Sequence, residues 1–209
     1  MKTIENLEWR YATKQFDSSR KVIQEDLEML KKAVLLSVSS YGLQLYKILI
    51  VEDKKLKERL RGASWNQNQI TDSSHLFVFC NYTRVHPTDV DEFIRNVSEV
   101  RNVPIQDLEG YRNSMKDAIA NKSEQETQNW LERQPYLALS NLLLACAELK
   151  IDACPMEGFI SEEYNEILNL KEEGLNACVI AAVGYRSSED KTQFQPKVRK
   201  SKERLFKHI

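Results

Sequence analysis

The stretch Arg10-Tyr-Ala-Thr-Lys-Gln-Phe16, near the start of a 209-residue chain, is the starting point for interpreting the sequence. It places two cations, Arg10 and Lys14, on either side of the small residue Ala12. A fixed pair of cations suits an anionic group such as a phosphate. Taken alone, the stretch is more typical of the solvated end of a helix. A second cation pair near the other terminus, Lys197 and Arg199, favours an anion site built from both ends of the chain.

The overall composition is that of a soluble globular protein. Hydrophobic residues make up 42% of the chain and charged residues 29%, which leaves enough apolar material for a core. The 30 basic and 31 acidic side chains nearly cancel, so the sequence carries no charge signature of nucleic-acid or membrane binding. The start of the chain is too charged for a signal peptide. We therefore expect a cytoplasmic protein with neither nucleic acid nor membrane as a partner.

The cysteines and histidines give no sign of a metal site. Cys80, Cys146, Cys154 and Cys178 lie in apolar neighbourhoods and form no Cys-x-x-Cys pair, which is typical of buried, reduced thiols. The three histidines are scattered along the chain. Cys154 has no cation near it in sequence, so inert packing is favoured over a redox role.

Hydrophobic periodicity predicts several helices. They cover residues 24–36, 53–61, 89–100, 107–119 and 124–150. Ser123 and Glu126 form a capping box at the start of the last one, and Pro135 predicts a kink there or two abutting helices. Its segment 137–147 is apolar on nearly every face, which predicts burial all round, in a core or at a subunit interface.

Three apolar segments, 45–51, 75–80 and 177–185, read as strands. Residues 37–44 form a loop rich in small hydroxyl residues, and 151–159 is a short extended piece that turns at Pro155 and Gly158. Ser161 is a plausible N-cap for a helix over 162–168. From residue 186 the chain is polar and aperiodic, as expected of an arm. We predict one α+β domain spanning 1–209, with about 186–209 as a C-terminal arm.

Five segments, in one collinear order, resemble the nitroreductase family of FMN-dependent NAD(P)H oxidoreductases. The resemblance runs from about Arg10 to Arg199. The segments that carry it are Arg10-Tyr-Ala-Thr-Lys-Gln-Phe16, Ser37-Val-Ser-Ser-Tyr-Gly-Leu-Gln44, Trp65-Asn-Gln-Asn-Gln69 with Asp72-Ser-Ser-His75, Ala153-Cys-Pro-Met-Glu-Gly-Phe159 and Lys197-Val-Arg199.

The resemblance implies a central mixed β-sheet flanked by helices. It also implies an obligate homodimer, with the C-terminal arm exchanged onto the partner and FMN held between the subunits. Arg10, Lys197 and Arg199 would grip the FMN phosphate, while Lys14 and Asn66 would lie at the pyrimidine edge of the flavin. The turn from Pro155 to Gly158 would back the ring. The full set of implied cofactor-binding residues is Arg10, Tyr11, Ala12, Lys14, Ser37, Val38, Ser39, Tyr41, Gln44, Asn66, Gln69, Gln134, Pro155, Met156, Glu157, Gly158, Lys197 and Arg199, with Ser37, Ser39, Tyr41, Gln44 and Gln134 coming from the partner subunit.

The implied activity is hydride transfer from NAD(P)H, through flavin N5, to a nitroaromatic, quinone or similar electron-poor acceptor. A single shared slot implies a ping-pong mechanism, with Lys14 as electrostatic support and no catalytic acid, nucleophile or metal. Two alternatives remain: a family member with another flavin chemistry, and a flavin-binding protein with little turnover. The sequence leaves open the physiological acceptor and the choice between NADH and NADPH.

Some positions depart from the pattern of the family. Gly42 stands where many relatives carry Asn, and Gln69 where a second cation is common. Ala12 replaces a hydroxyl residue at the phosphate. These departures bear on flavin affinity and reduction potential. Residues 103–121 are expected to form the lid of the pocket; Tyr111 and Met115 are candidates to face the ring, although ordinary helix packing is the favoured interpretation of both.

Overall fold

A four-stranded β-sheet forms the centre of the computed structural model, which describes residues 1–209. Its strands are β1 (Tyr46–Val51), β2 (His75–Tyr82), β3 (Asp152–Met156) and β4 (Leu175–Gly184), in the spatial order β1-β2-β4-β3. The two central strands, β2 and β4, are buried almost throughout, and this explains why their sequences are apolar without alternation. The three predicted strands are confirmed, and the extended piece at 151–159 supplies a fourth, β3.

All neighbouring strands in the sheet are antiparallel, so the expectation of a mixed sheet is wrong for this chain. The register explains why. Val51, the last residue of β1, pairs with Leu76, the second residue of β2, so the connection between them returns the chain to the end of the sheet that it has just left. Parallel neighbours would require a crossover to the opposite end. The single parallel contact is an isolated bridge between Ala12 and Ala153.

Nine α-helices surround the sheet. They are α1 (Lys2–Trp9), α2 (Gln24–Leu35), α3 (Lys54–Gly62), α4 (Gln69–Asp72), α5 (Pro87–Arg101), α6 (Glu109–Ala120), α7 (Glu124–Glu148), α8 (Ser161–Ile167) and α9 (Lys202–Leu205). Helices α2, α3, α5, α6, α7 and α8 lie where the sequence predicts helices. Helix α1 escaped prediction because it has no buried apolar stripe: its one buried residue is Asn6.

Helices pack on both faces of the sheet. On one face, Leu30 of α2 and Leu142 of α7 join a core with residues of the central strands. On the other, Leu60 of α3 and Tyr164 of α8 do the same. Antiparallel strands covered by helices on both faces make this an α+β fold. No helix is both long and apolar enough to cross a bilayer.

Helix α7 is continuous through Pro135, so two abutting helices are not formed. Its predicted capping box is confirmed, since Ser123 Oγ accepts from the Glu126 N–H and the Glu126 carboxylate accepts from the Ser123 N–H. Burial on both sides of Pro135, at Leu131 and Ala138, holds the helix together across the missing N–H. The same helix is not buried all round within one chain, because the side chain of Leu137 is 43% exposed.

Ser161 is the first residue of α8 rather than its N-cap, and Ile160 occupies the cap position. The Ser161 hydroxyl instead donates to the carbonyl of Ala177 on β4, at 2.6 Å. The acidic first turn places Glu162 and Glu163 at the helix start, which is favourable without a side-chain cap. The prediction of Ser161 as the N-cap is wrong because its hydroxyl is bound by the Ala177 carbonyl, which is distant in sequence.

The C-terminal segment divides into two parts. Asp190 is buried, and Ser187 donates its N–H to the carbonyl of Gln15, so the beginning of this segment packs on the N-terminal stretch. Residues 195–209 are exposed throughout, including those of the short helix α9.

Candidate functional site

A cleft of about 380 Å³ lies where the N-terminal stretch, β3 and the C-terminal segment meet. The bridge between Ala12 and Ala153 fixes the N-terminal stretch against the edge of the sheet. Arg10 and Ala12 line the cleft from this side, and Lys197 and Arg199 line it from the other. The ammonium group of Lys197 donates to the backbone carbonyl of Arg10. Cations from both ends of the chain therefore share one cleft.

The three cations of the cleft carry no acidic partner within ion-pair distance. Burial and the neighbouring Arg199 lower the pKa of Arg10. Burial, Arg10 and Arg199 in turn lower the pKa of Lys197. Glu8 is the acidic residue that lines the cleft, and it forms no ion pair with the cations. Mutually repelling cations held in one concave site are suited to binding an anion.

The second cation of the N-terminal stretch, Lys14, has an exposed side chain and a fixed backbone. Its N–H donates to the Asp190 carboxylate at 2.7 Å. Lys14 and Arg10 also oppose the pKa rise that burial imposes on Cys154. The cations that were absent from the sequence around Cys154 are thus present in space, yet burial dominates and the thiol stays protonated, as expected of a packing residue.

A second group of predicted site residues lies in the 37–44 loop. Gln134 of α7 accepts the Ser40 N–H at 2.8 Å, and the Ser39 hydroxyl accepts the Gln44 N–H at 2.9 Å. Asn141 donates to the Ser37 hydroxyl at 2.9 Å. The loop is therefore fixed to α7. Its left-handed residues are Tyr41, Gly42 and Gln44, and Val38 is 71% exposed.

A third group surrounds the turn at the end of β3. The Gln67 amide donates to the Gly158 carbonyl at 2.7 Å, which ties this turn to the segment before α4. Trp65 and Asn66 in that segment are both left-handed, at φ 53° and 56°, and both side chains are exposed. A left-handed backbone is unfavourable for a large aromatic residue and marks local strain.

The remaining members of the third group differ in exposure. Met156 is buried beneath the turn, while Pro155 lines the cationic cleft. Glu157 is exposed and accepts a hydrogen bond from the Tyr136 hydroxyl at 2.6 Å. Gln69 is half-buried at the start of α4. Strand β3 connects two parts of the site: Ala153 pairs with Ala12 of the N-terminal stretch, and the strand then runs directly into this turn.

The first group of predicted site residues is the one that lines the cationic cleft, Arg10, Ala12, Lys197 and Arg199. It is contiguous with the third group within one chain. Pro155 lines the cation cleft and begins the turn that Gln67 holds, so the first and third groups share β3. The second group makes no hydrogen bond to either of them. Within a single chain, a shared strand therefore connects the first and third groups, and no hydrogen bond connects the second group to either of them.

The candidate lid residues lie in α6. Met115 is buried in a small core with Val90 and Ile94 of α5, which agrees with its interpretation as a packing residue. Tyr111 is 45% exposed. The ammonium group of Lys116 lies 2.6 Å from Asp91, so this ion pair joins α6 to α5.

Three further residues, which support the N-terminal side of the cleft without lining it, were missed from the sequence. Asp152 and Asp190 are buried carboxylates, and the guanidinium of Arg186 lies between the rings of Trp9 and Tyr11, at 4.3 and 4.6 Å. Arg186 forms an ion pair with Asp152 at 2.6 Å. The one signal in the sequence concerned Asp190 alone. Its carboxylate accepts the N–H of Thr192, two residues on, as in an Asx turn.

The fold and the site define an α+β protein with a cationic cleft beside a short strand and its turn. Residues 7–185 match the model of the Nitroreductase family. A Bacillus subtilis protein named "Putative NAD(P)H nitroreductase YfkO" is 31% identical over 214 residues, with 96% of this chain and 94% of that protein covered. The chain belongs to the Nitroreductase family, and the resemblance seen in the sequence is confirmed.

Solved structures show the same fold. The crystal structure of a Bacillus subtilis protein described as "putative nitroreductase ydfN" superimposes with a TM-score of 0.89 at 21% identity, covering 99% of this chain and 98% of the other. The crystal structure of an Exiguobacterium sibiricum protein described as a "putative nitroreductase in complex with FMN" gives a TM-score of 0.85 at 15% identity, covering 99% of this chain and 97% of the other. At these identities the likeness concerns the fold.

Proposed function

We propose that this protein is an FMN-dependent oxidoreductase that uses NAD(P)H to reduce small electron-poor acceptors such as nitroaromatics and quinones. The observation that carries the proposal is the convergence of Arg10, Lys197 and Arg199 on one cleft without an acidic ion-pair partner. The family membership, the NAD(P)H nitroreductase name of the Bacillus relative and the FMN complex of a structural neighbour support the same function.

The residues present fit FMN. The three cations would more than offset the double negative charge of the phosphate, and Ala12 leaves the backbone beside them open. The exposed side chains of Lys14 and Asn66 would serve the pyrimidine edge, and the turn from Pro155 to Gly158 would back the ring. FMN, when bound, supplies the ability to accept and donate hydride. A cation at the pyrimidine edge favours the reduced cofactor, and Gln69, being neutral, adds nothing to this effect.

The protein's own contribution is orientation and exclusion of competing reactions. No cleft residue acts as an acid or nucleophile in this proposal. Donor and acceptor use one slot in turn, so initial rates at varied donor and acceptor concentrations should give parallel double-reciprocal lines. Intersecting lines would mean that both substrates bind together, and the shared slot would then be wrong.

We propose further that two chains assemble the complete site. The second group would reach the flavin from the partner, because within one chain no hydrogen bond joins it to the first or third group. Leu35, Leu36, Val38 and Leu137 expose apolar surface on α2, the 37–44 loop and α7. Large exposed apolar side chains that cluster in this way are typical of interfaces. The outer edge of β1 is unpaired, and the exposed end of the arm beyond the cleft, residues 200–209, is suited to covering it in the partner.

The test of the proposed function is the visible spectrum of the purified protein, recorded without oxygen, before and after addition of NADPH and, separately, of NADH. We expect a yellow protein that bleaches rapidly with one of the two donors and regains its colour with a quinone. A yellow protein that resists both donors would be a flavin-binding protein. A colourless protein that cannot be reconstituted with FMN would overturn the proposal and leave only the fold.

A further inference from the structure

The two segments that carry the cleft cations meet at a single buried carboxylate. Asp190 is 1% exposed and accepts four hydrogen bonds. Three come from the N-terminal stretch: the N–H groups of Lys14 and Gln15, at 2.7 and 3.2 Å, and the hydroxyl of Tyr11, at 3.0 Å. The fourth comes from the N–H of Thr192, at 3.0 Å, on the segment that leads to Lys197. One side chain therefore joins both walls of the cleft.

This carboxylate remains charged in its buried position. Burial acts to raise the pKa of Asp190, but the hydrogen bonds from Lys14, Gln15, Thr192 and Tyr11 outweigh it and hold that pKa below its ordinary value. Asp190 forms no ion pair with Arg10, Lys197 or Arg199, so it does not compete with an anion for them. A buried carboxylate that accepts four donors makes a strong, directional anchor.

The residues just before this anchor are held by a second contact, with the guanidinium of Arg186. Tyr11, which donates to Asp190, also stacks on the guanidinium of Arg186, and Trp9 does so too. Arg10 lies between these two aromatic residues in the chain. Its backbone is thus held on both flanks, and the three cations keep their mutual positions in spite of their repulsion.

We propose that Asp190 is a positioning residue for the anion-binding cleft: it locks the N-terminal stretch to the C-terminal segment so that Arg10, Lys197 and Arg199 face one anion. This inference rests on the proposed function, because the anion is taken to be the phosphate of FMN. Asp190 itself touches neither the cofactor nor a substrate, and it acts through the two segments.

The test compares FMN with riboflavin, which lacks the phosphate, using fluorescence titration of the apo-protein and its Asp190→Asn variant. An amide offers one acceptor oxygen and turns two N–H donors toward the N–H groups around it, so the anchor is broken. Loss of a charged acceptor predicts about tenfold or greater weakening of FMN binding. Riboflavin binding should weaken clearly less than FMN binding, because among the proposed ring contacts only Lys14 is anchored by Asp190, whereas all three phosphate cations depend on the anchor.

A matched control separates positioning from general stability. Asn165 is buried, accepts the Ala177 N–H at 2.8 Å and donates to Asn176, all within the α8–β4 contact. Asn165→Ala should lower the unfolding temperature without changing the ratio of FMN to riboflavin affinity. Tyr11→Phe removes one of the four donors to Asp190 and should weaken FMN binding less than Asp190→Asn. If Asp190→Asn lowers both affinities equally, or neither, the positioning role is wrong.

Inorganic phosphate distinguishes failure of this inference from failure of the proposed function. If the wild type binds phosphate, measured by its protection against thermal unfolding, but not FMN, the proposed function fails and phosphate becomes the probe for Asp190→Asn. Loss of that protection in the variant would still support the positioning role, and its retention would overturn it. A wild type that binds neither ligand overturns both.

Discussion

The side chain of Trp65 packs directly on the backbone of Gly158: a Cβ atom built at Gly158 would lie 3.0 Å from Cζ3 of the Trp65 ring. Gln67 closes the same contact, since its amide nitrogen would lie 3.1 Å from that Cβ and donates to the Gly158 carbonyl. The turn after β3 and the segment before α4 therefore form one unit. Within the proposed function, this unit backs the flavin ring.

Gly158→Ala should lower the free energy of unfolding by about 1 kcal/mol, because the added methyl group must displace Trp65 or Gln67. Chemical denaturation of Gly158→Ala, Trp65→Ala and the double variant measures the coupling. Since the exposed Trp65 ring makes the closest contact, the loss at Gly158 should be smaller when Trp65 is already alanine. Additive effects of the two substitutions would show that the ring and the turn do not interact.

Gly184→Ala should have a larger effect. A Cβ at Gly184 would lie 2.9 Å from the backbone nitrogen of Ser74 and 3.1 Å from Phe16, and backbone cannot move aside as an exposed side chain can. We expect a loss of about 3 kcal/mol in unfolding free energy. Gly62→Ala is the matched control, because nothing lies within 4 Å of its Cβ position in α3. Alanine there should be neutral or stabilising by up to about 1 kcal/mol. Equal effects at the two glycines would contradict the packing.

Local patterns explain which elements were predictable. Helix α2 and the capping box at Ser123 depend on residues close in sequence, and both were found. The strand directions were not, because an antiparallel β1–β2 pair depends on how α3 and α4 return the chain to Leu76. The hydroxyl of Ser161 likewise donates to the Ala177 carbonyl, and the spacing of residues along the sequence could not predict that contact.

The candidate site divides in the same way. Arg10, Lys197 and Arg199 were picked out because their motifs resemble those of the family, and the fold brings them to one cleft. Asp190 was missed because an acid in a polar, aperiodic segment has the sequence features of a solvated residue. Its burial arises only when Tyr11, Lys14 and Gln15 arrive from the other end of the chain.

Lys197→Met should affect ligand-free and FMN-bound protein in opposite directions. Without an anion, Lys197 is repelled by Arg10 and Arg199, and this repulsion helps to lower its pKa. Its removal should leave the apo-protein as stable as the wild type or slightly more so. FMN binding should weaken by about tenfold, because one charge-assisted contact to the phosphate is lost. Thermal unfolding with and without FMN measures both effects.

Lys191→Met is the control for Lys197→Met. Lys191 is an exposed lysine of the same segment that does not line the cleft. It should change neither the apo-stability nor the FMN affinity measurably. A similar loss of FMN affinity in both variants would mean that the general charge of the segment, and not the geometry of the cleft, holds the anion. Raising the salt concentration would then weaken both variants and the wild type alike.

Lys57 should make the stability of the protein depend on pH in the alkaline range. Its ammonium group is buried on α3 and donates to the Ser73 carbonyl at 2.5 Å. Burial, with a further contribution from Lys21, lowers the pKa of Lys57 to about 8, from an ordinary value of 10.5. Between these two pH values the unfolded chain holds a proton that the native protein has released. The free energy of unfolding therefore rises with pH across that window. Below pH 8 Lys57 is charged in the native protein, and the full cost of burying that charge is present.

Comparison with Lys57→Met isolates this contribution, because the other groups that titrate in the same range are common to both proteins. Denaturant unfolding at several values from pH 7 to pH 10 should show wild type gaining stability relative to the variant, by up to about 1.4 kcal/mol for each pH unit within the window. The variant also loses the hydrogen bond to Ser73. This loss changes its free energy of unfolding by a constant amount and leaves the slope against pH intact. A difference between the two proteins that stays constant from pH 7 to pH 10 would show that Lys57 keeps its ordinary pKa in the fold.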